Sequence, residues 1–317
     1  MTVDFFTAVN ELKKADKILI LTHINPDGDT LGSGYALLRA LRKLGKRARL
    51  INADKINSKY AHLYENVEDD HFCEEFIVSV DVAEKKLLGE AFIEKYADRV
   101  DLSIDHHETA RSFAEKTYVE PQSASACEII YLLIKELGVE IDKDIANCIY
   151  TGCSTDTGCF KYSNVTARTH RIAAELIEYG ADHSGINAKM FDTKSMNSIM
   201  LERMCLESLE TFMGGKIASI TVTQKMLEES GTDKSAIDAI KPLTRQIEGV
   251  EIGITVKEEE SGAVGVSIRT GEKFDASTIC AHFEGGGHKR AAGCELKGMT
   301  PDEVKNTVVS YIIKTYF

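Results

Sequence analysis

The chain has 317 residues, 43% hydrophobic and 28% charged, a profile that excludes a disordered or fibrous protein and leaves room for one large or two ordinary domains. No stretch approaches the roughly 20 apolar residues of a membrane span, and residues 1–17 lack the regions of a signal peptide, so a cytoplasmic protein without a membrane partner is expected. The formal charge of −12 argues against binding long duplex nucleic acid, which needs clustered Lys and Arg, but leaves a short anionic substrate open if metal ions supply positive charge.

In chain order, the first part alternates helix and strand patterns, which predicts a parallel sheet with crossover helices. Strands are expected at 17–21, 47–51, 76–80 and 100–104, with helices at 2–14, 30–44 and 87–98. Three of these strands run into polar chemistry. The first leads into His23, Asp27 and Asp29, the third into Asp81, and the fourth into Asp105, His106 and His107. Ser125 and Glu128 read as a capping box opening a helix that Gly138 closes. A helix over 143–151 then leads into a second acidic loop, Gly152 to Gly158, carrying Asp156. Helices follow at 166–179 and about 187–211, the latter polar enough to be an interdomain spacer.

At Met213-Gly-Gly215 the helical pattern gives way to strands. Strands are predicted at 216–222, 250–257, 262–269 and 294–296, and helices at 233–239, 275–283 and 301–314, the last with Pro in its first turn. The plan is an α/β protein: residues 1–186 as a parallel-sheet domain, 187–213 as a helical linker, and 214–317 as a smaller α/β domain with a mixed sheet. The active site is expected in the cleft between the domains. The eight cysteines form no CxxC pair and read as buried free thiols of a reducing compartment.

Imidazole and carboxylate together suit hard divalent cations, and strand ends are where open α/β sheets place their ligands. His23, Asp27, Asp29, Asp81, His106 and Asp156 offer enough donors for a pair of ions that could clamp an in-line phosphoryl displacement. Asp27 and Asp29, two apart on a segment read as extended, would serve different ions, and Asp81 is the natural bridge. Successive glycines at 285–287 let backbone amides approach an anion, to which His288 can add a donor.

The series His23-xxx-Asp27-x-Asp29, Asp81, Asp105-His106-His107 and Thr155-Asp156-Thr-Gly158 resembles the four motifs of the DHH phosphoesterase family. Gly285-Gly-Gly-His288-xx-Ala-Ala-Gly293 resembles the substrate-binding signature of the DHH-associated domain. The resemblance implies that His23 and Asp27 hold one ion, that Asp29, His106 and Asp156 hold the other, and that Asp81 bridges them. The ions implied are two divalent cations, Mn2+ first and Mg2+ as the alternative. It further implies that Asp105 supports the histidines, that His107 faces the scissile phosphate, and that Ser267, Arg269, Gly286, Gly287 and His288 bind substrate. Two positions depart from many relatives: Ala110 stands where they carry Asn, and Ala126 where they carry a hydroxyl.

The implied activity is hydrolysis of very short oligonucleotides to mononucleotides, or dephosphorylation of a nucleoside bisphosphate such as 3'-phosphoadenosine 5'-phosphate. Alternatives are a soluble phosphodiesterase for cyclic di-AMP or linear dinucleotides, a RecJ-like single-strand exonuclease, and an inactive nucleotide-binding module. A homo-oligomer is compatible with any of these.

Overall fold

An Ile-Leu-Ile-Leu strand, β1 (Ile18–Leu21), buried along its whole length, is interior to the first sheet of the protein, seen here in a computed structural model. The structure describes residues 1–232 and 236–317, with no side chain described at positions 238, 239 and 288. Two units are present, Met1–Thr193 and Lys194–Phe317.

The first unit begins with α1 (Phe5–Lys14), capped by Asp4, and β1, followed by α2 (Gly28–Lys43), β2 (Ala48–Ile51), α3 (Ala61–Tyr64) and β3 (Phe76–Val80). It continues with α4 (Glu90–Tyr96), β4 (Leu102–Asp105), β5 (Lys116–Val119), α5 (Ala126–Glu136), α6 (Lys143–Asp156), α7 (Ala167–Glu178) and α8 (His183–Asn187). All five strands are parallel, in the order β2-β1-β3-β4-β5. Side chains alternate across the sheet. Ile18, Ile20, Val78, Val80, Leu102 and Ile104 join the larger core under α1, α2, α5 and α6, whereas Leu19, Leu21 and Ile77 meet a thinner layer with Leu88 and Tyr96. This strand order reverses direction between β1 and β3, which opens a crevice beyond their carboxyl ends, and it is there that doubly wound sheets bind ligands.

The second unit runs α9 (Met196–Glu207), β6 (Glu210–Phe212), β7 (Ile217–Val222), α10 (Gln224–Ser230), α11 (Ile237–Ile240), β8 (Ile252–Glu258) and β9 (Val264–Thr270). It closes with α12 (Ala276–Ala281), β10 (Gly286–His288), β11 (Ala291–Leu296) and α13 (Pro301–Tyr316). Its mixed sheet has the order β10-β11-β9-β8-β7-β6, with only β7 and β8 parallel. On β9, buried Val264, Val266 and Ile268 face the core with α12 and α13, leaving Gly265, Ser267 and Arg269 on the other face. Among the described residues no helix is long and apolar enough to cross a membrane, and all eight cysteines are free.

Several elements differ from the pattern-based expectation. β5 and β6 were not anticipated, since both are short and only partly buried. The helix expected over 87–98 is broken at Gly89, whose φ of 82° no regular helix accommodates. The spacer helix expected over 187–211 is interrupted at Thr193–Ser195, and its second half, α9, buries Leu201 and Cys205 against β7 and the 237–243 segment. The helix expected at 233–239 lies outside the described residues over 233–235; α11 begins at Ile237.

Candidate metal centre

The loop after β1 is drawn back over its own strand end by α2. Asp27 is the N-cap of that helix, its Oδ1 accepting from the Asp29 and Thr30 amides at 3.0 and 3.1 Å. Asp29 therefore lies in the first helical turn, and the extended segment expected between the two aspartates is absent. Helical rotation sends their carboxylates to different neighbours. Asp27 faces His23, with Oδ1 3.7 Å from Nε2, while Asp29 turns inward, its Oδ2 3.7 Å from His106 Nε2.

Asp81 leaves β3 in the left-handed region, φ 57°, and this conformation sits at the sheet's switch point, where strained backbone commonly marks function. Its Oδ2 is 3.7 Å from His23 Nε2 and its Oδ1 3.6 Å from His106 Nε2. Asp156 is the last residue of α6, which continues five residues past the helix end expected at 151 and absorbs most of the supposed acidic loop. Its Oδ2 is 3.7 Å from His106 Nε2.

Three donor groups result, each with its ligand atoms mutually within 4.8 Å: His23, Asp27 and Asp81; Asp29, His106 and Asp156; and Asp81, His106 and His107. Separations of 3.6–3.7 Å are too long for hydrogen bonds. They are close to those of two donors on one small cation, since bonds of about 2.1 Å at 90–120° hold donors about 3.0–3.6 Å apart.

Electrostatics point the same way. Asp29 and Asp81 are 1% and 3% exposed, and among the described residues the ion-pair partners of Asp27, Asp29, Asp81 and Asp156 are histidines alone. Asp81 Oδ1 is buried without a hydrogen-bond partner among the described residues. Burial, then the charges of Asp81, Asp156 and Asp27, drives Asp29 well above the usual carboxylate range. Burial likewise, with Asp81 and Asp27 nearby, pushes Asp156 up to about 7 against the pull of His106. Burial would lower His23, but the Asp27 and Asp81 carboxylates carry it up to about 11. A cluster of this kind retains protons until divalent cations replace them. The residues fit a hard-cation centre.

Backbone groups aim these side chains. A carbonyl oxygen only accepts, so His106 Nδ1, 3.2 Å from the Ser123 carbonyl, carries the proton and Nε2 is left to face the carboxylates. His23 is fixed likewise by the Ile24 carbonyl at 2.7 Å. Asp29 accepts from the Ala126 and Cys127 amides at 2.6 and 2.9 Å, so position 126 contributes through its N–H rather than its side chain. Asp105 Oδ1 accepts from the amides of His106 and His107 and, at 2.7 Å, from His107 Nδ1. That last bond, opposed by burial and helped by the charge of Asp81, raises His107 to about 9.

Glycines, to which the sequence reading gave no part in the site, let α2 and α6 approach backbone to backbone. A Cβ at Gly28 would lie 2.3 Å from Thr155 Oγ1, one at Gly32 would lie 2.4 Å from the Cys148 carbonyl, and one at Gly152 would lie 2.1 Å from Cys127 Sγ. The available signal was glycine inside a helical pattern, which usually has a packing reason.

In the second unit, Ser267 and Arg269 share the outer face of β9, and Arg269 has no ion-pair partner among the described residues. Gly286 and Gly287 are not in a loop but in β10, paired with β11. A Cβ at Gly285 would meet the Gly293 carbonyl at 2.3 Å, and one at Gly287 the Ala292 Cα at 2.6 Å, so both glycines have a packing reason besides any anion contact; Gly286 has open space. The side chain of His288 lies outside the described residues, while its backbone ends β10.

Residues 17–153 match the model of the DHH family, N-terminal domain, and residues 214–314 that of the DHHA1 domain. The chain is 31% identical over 302 residues to the bifunctional oligoribonuclease and PAP phosphatase NrnA of Thermus thermophilus, covering 93% of this chain and 89% of that protein. It is 25% identical to the Bacillus subtilis protein of the same name, covering 89% and 90%. Among solved structures, an exopolyphosphatase-related protein from Bacteroides fragilis superposes with a TM-score of 0.83 at 25% identity, covering 97% of this chain and 96% of that one.

Proposed function

Because the chain belongs to the DHH family, with its N-terminal and DHHA1 domains in that order, we propose that it is a metal-dependent phosphoester hydrolase of short nucleotides. Its substrates are very short oligoribonucleotides, cut to mononucleotides, and 3'-phosphoadenosine 5'-phosphate, which loses its terminal phosphate. The observation that carries the reading is the pair of donor groups, His23/Asp27/Asp81 and Asp29/His106/Asp156, side by side at the β1/β3 switch point. The names of relatives matching about nine-tenths of the chain support the substrate class.

His23 and Asp27 would hold one divalent cation, and Asp29, His106 and Asp156 a second, with Asp81 serving both; manganese is the first choice and magnesium the alternative. Such a pair lowers the pKa of water and neutralises charge on the transferring phosphoryl group. His107 has Nδ1 committed to Asp105, which leaves Nε2 free, and near neutral pH its raised pKa keeps that nitrogen protonated. It donates to a phosphate oxygen, and Asp105 keeps the ring in the donating orientation. Residues 1–186 perform the chemistry and 214–317 hold the substrate, with Ser267, Arg269, Gly286, Gly287 and His288 gripping its far phosphate or base. The eight free thiols support a reducing, cytoplasmic setting.

The test is a comparison of initial rates with Mn2+ on 3'-phosphoadenosine 5'-phosphate, linear diadenylate, a five-nucleotide RNA, long single-stranded DNA and pyrophosphate. Turnover is expected on the first three. Fastest turnover of long DNA or pyrophosphate would remove the substrate assignment, and inactivity on all five the enzymatic one.

A further inference from the structure

The irregular segment 120–125 between β5 and α5, with the first turn of α5, reaches two of the six candidate donors through backbone groups and a third through Asn164. Its Ser123 carbonyl receives His106 Nδ1–H at 3.2 Å, and its far end presents the Ala126 and Cys127 amides to Asp29 at 2.6 and 2.9 Å. The Ala124 carbonyl accepts from Asn164 Nδ2 at 2.9 Å, and the same amide donates to the Asp156 carbonyl at 3.2 Å. Asp29, His106 and Asp156 form one donor group.

A further side chain crosses residues 120–128. Arg168, on α7, donates from Nη1 to Glu120 Oε1 at 2.6 Å, from Nη2 to Ser123 Oγ at 2.7 Å, and from Nε to Glu128 Oε2 at 3.1 Å. Glu128 is fully buried, and this contact explains why the capping box expected at the head of α5 is only half formed: Ser125 accepts from the Glu128 amide, but the Glu128 carboxylate is turned to Arg168. The planar guanidinium contacts residues 120, 123 and 128 at once, which an ammonium does not do. The other donor group does not depend on it: Asp27 is held by the α2 amides and His23 by the Ile24 carbonyl.

We propose that Arg168 is a positioning residue for the Asp29/His106/Asp156 group: by locking residues 120–128 it sets the His106 tautomer and the seat of Asp29, and with them the affinity of one cation only. The inference rests on the two-cation reading above.

Manganese is titrated into metal-stripped wild-type and Arg168→Lys protein, with free Mn2+ read by electron paramagnetic resonance and folding followed by thermal denaturation. Wild type should take up two equivalents, and fewer would count against the two-cation reading itself. Arg168→Lys should weaken one equivalent by about 10–100-fold and leave the other within about twofold. A merely structural role would lower Tm while leaving both affinities of the folded protein at wild-type values, or weaken both alike; either result overturns the proposal. Nitrogen-15 spectra of the metal-free proteins give a readout independent of ion count: His106 should carry its proton on Nδ1 in wild type and lose that preference in Arg168→Lys, and retention of the preference also overturns the proposal. Should Arg168→Lys not fold, Ser123→Ala keeps the carbonyl and removes one of the three contacts. It should weaken the same equivalent severalfold, and two unchanged equivalents would refute the idea.

Discussion

Gly152→Ala tests how closely the site depends on the approach of α2 and α6. The new Cβ would lie 2.1 Å from Cys127 Sγ, 2.7 Å from Asp29 Oδ1 and 3.0 Å from Asp29 Cα, all inside the roughly 3.5–4.0 Å at which such contacts become favourable. None of these atoms is at the end of a flexible chain, since Asp29 is tied to two amides and Cys127 is in α5. Relief requires moving the carboxylate off one amide. Overpacking costs about 1–3 kcal/mol and a lost hydrogen bond to a charged group about 1.5–3, against a gain of about 1 for Ala over Gly inside a helix. The net is about 1.5–5 kcal/mol, a fall in Tm of at least about 3 °C for a unit of this size. Thermal denaturation measures it, and Cys127→Ala supplies the control. The double substitution removes the worst clash and should recover more than about 1 kcal/mol relative to the sum of the singles. If Gly152→Ala keeps wild-type Tm and manganese affinity, close packing of α2 on α6 does not seat Asp29.

Two further outcomes follow from the same geometry. Asp81→Asn keeps a residue that tolerates the φ of 57° while removing a carboxylate that lies 3.7 Å from His23 Nε2 and 3.6 Å from His106 Nε2, so kcat/KM should fall at least about 10³-fold, about 4 kcal/mol of transition-state stabilisation. Near-native activity would refute its part in the centre. In EDTA, Asp156, raised to about 7, contributes stability that is present below its unfolded value of 3.8 and lost as pH rises through 7, and His107 contributes stability present below 6.5 and lost through about 9. Both act in one direction, so metal-free Tm should be lower at pH 8.5 than at pH 5.5, with Mn2+ raising Tm more at the higher pH; a flat or rising profile without metal would refute the crowded-carboxylate account.

Several candidate donors were legible because they are polar residues just beyond an apolar run. Phe76–Val80 forms with the expected bounds, and Asp81 follows it into the crevice. Asp156 was expected in a loop but ends α6, because Thr-rich sequence weakens a helical pattern that tertiary packing against α2 sustains. The groups that aim the donors were not legible. Ala126 acts through its amide, Ser123 through its carbonyl and Gly152 through a missing Cβ, and none of these functions leaves a mark on residue type. Glu128 carried a local signal, the capping box, and its carboxylate instead pairs with Arg168, forty residues away in sequence. Donor chemistry is thus written in side chains that stand at element ends, while donor geometry is written in backbone atoms whose neighbours exist only after folding. Substitutions that preserve every histidine and aspartate of the centre can therefore still disable it, provided they move residues 120–128 or separate α2 from α6.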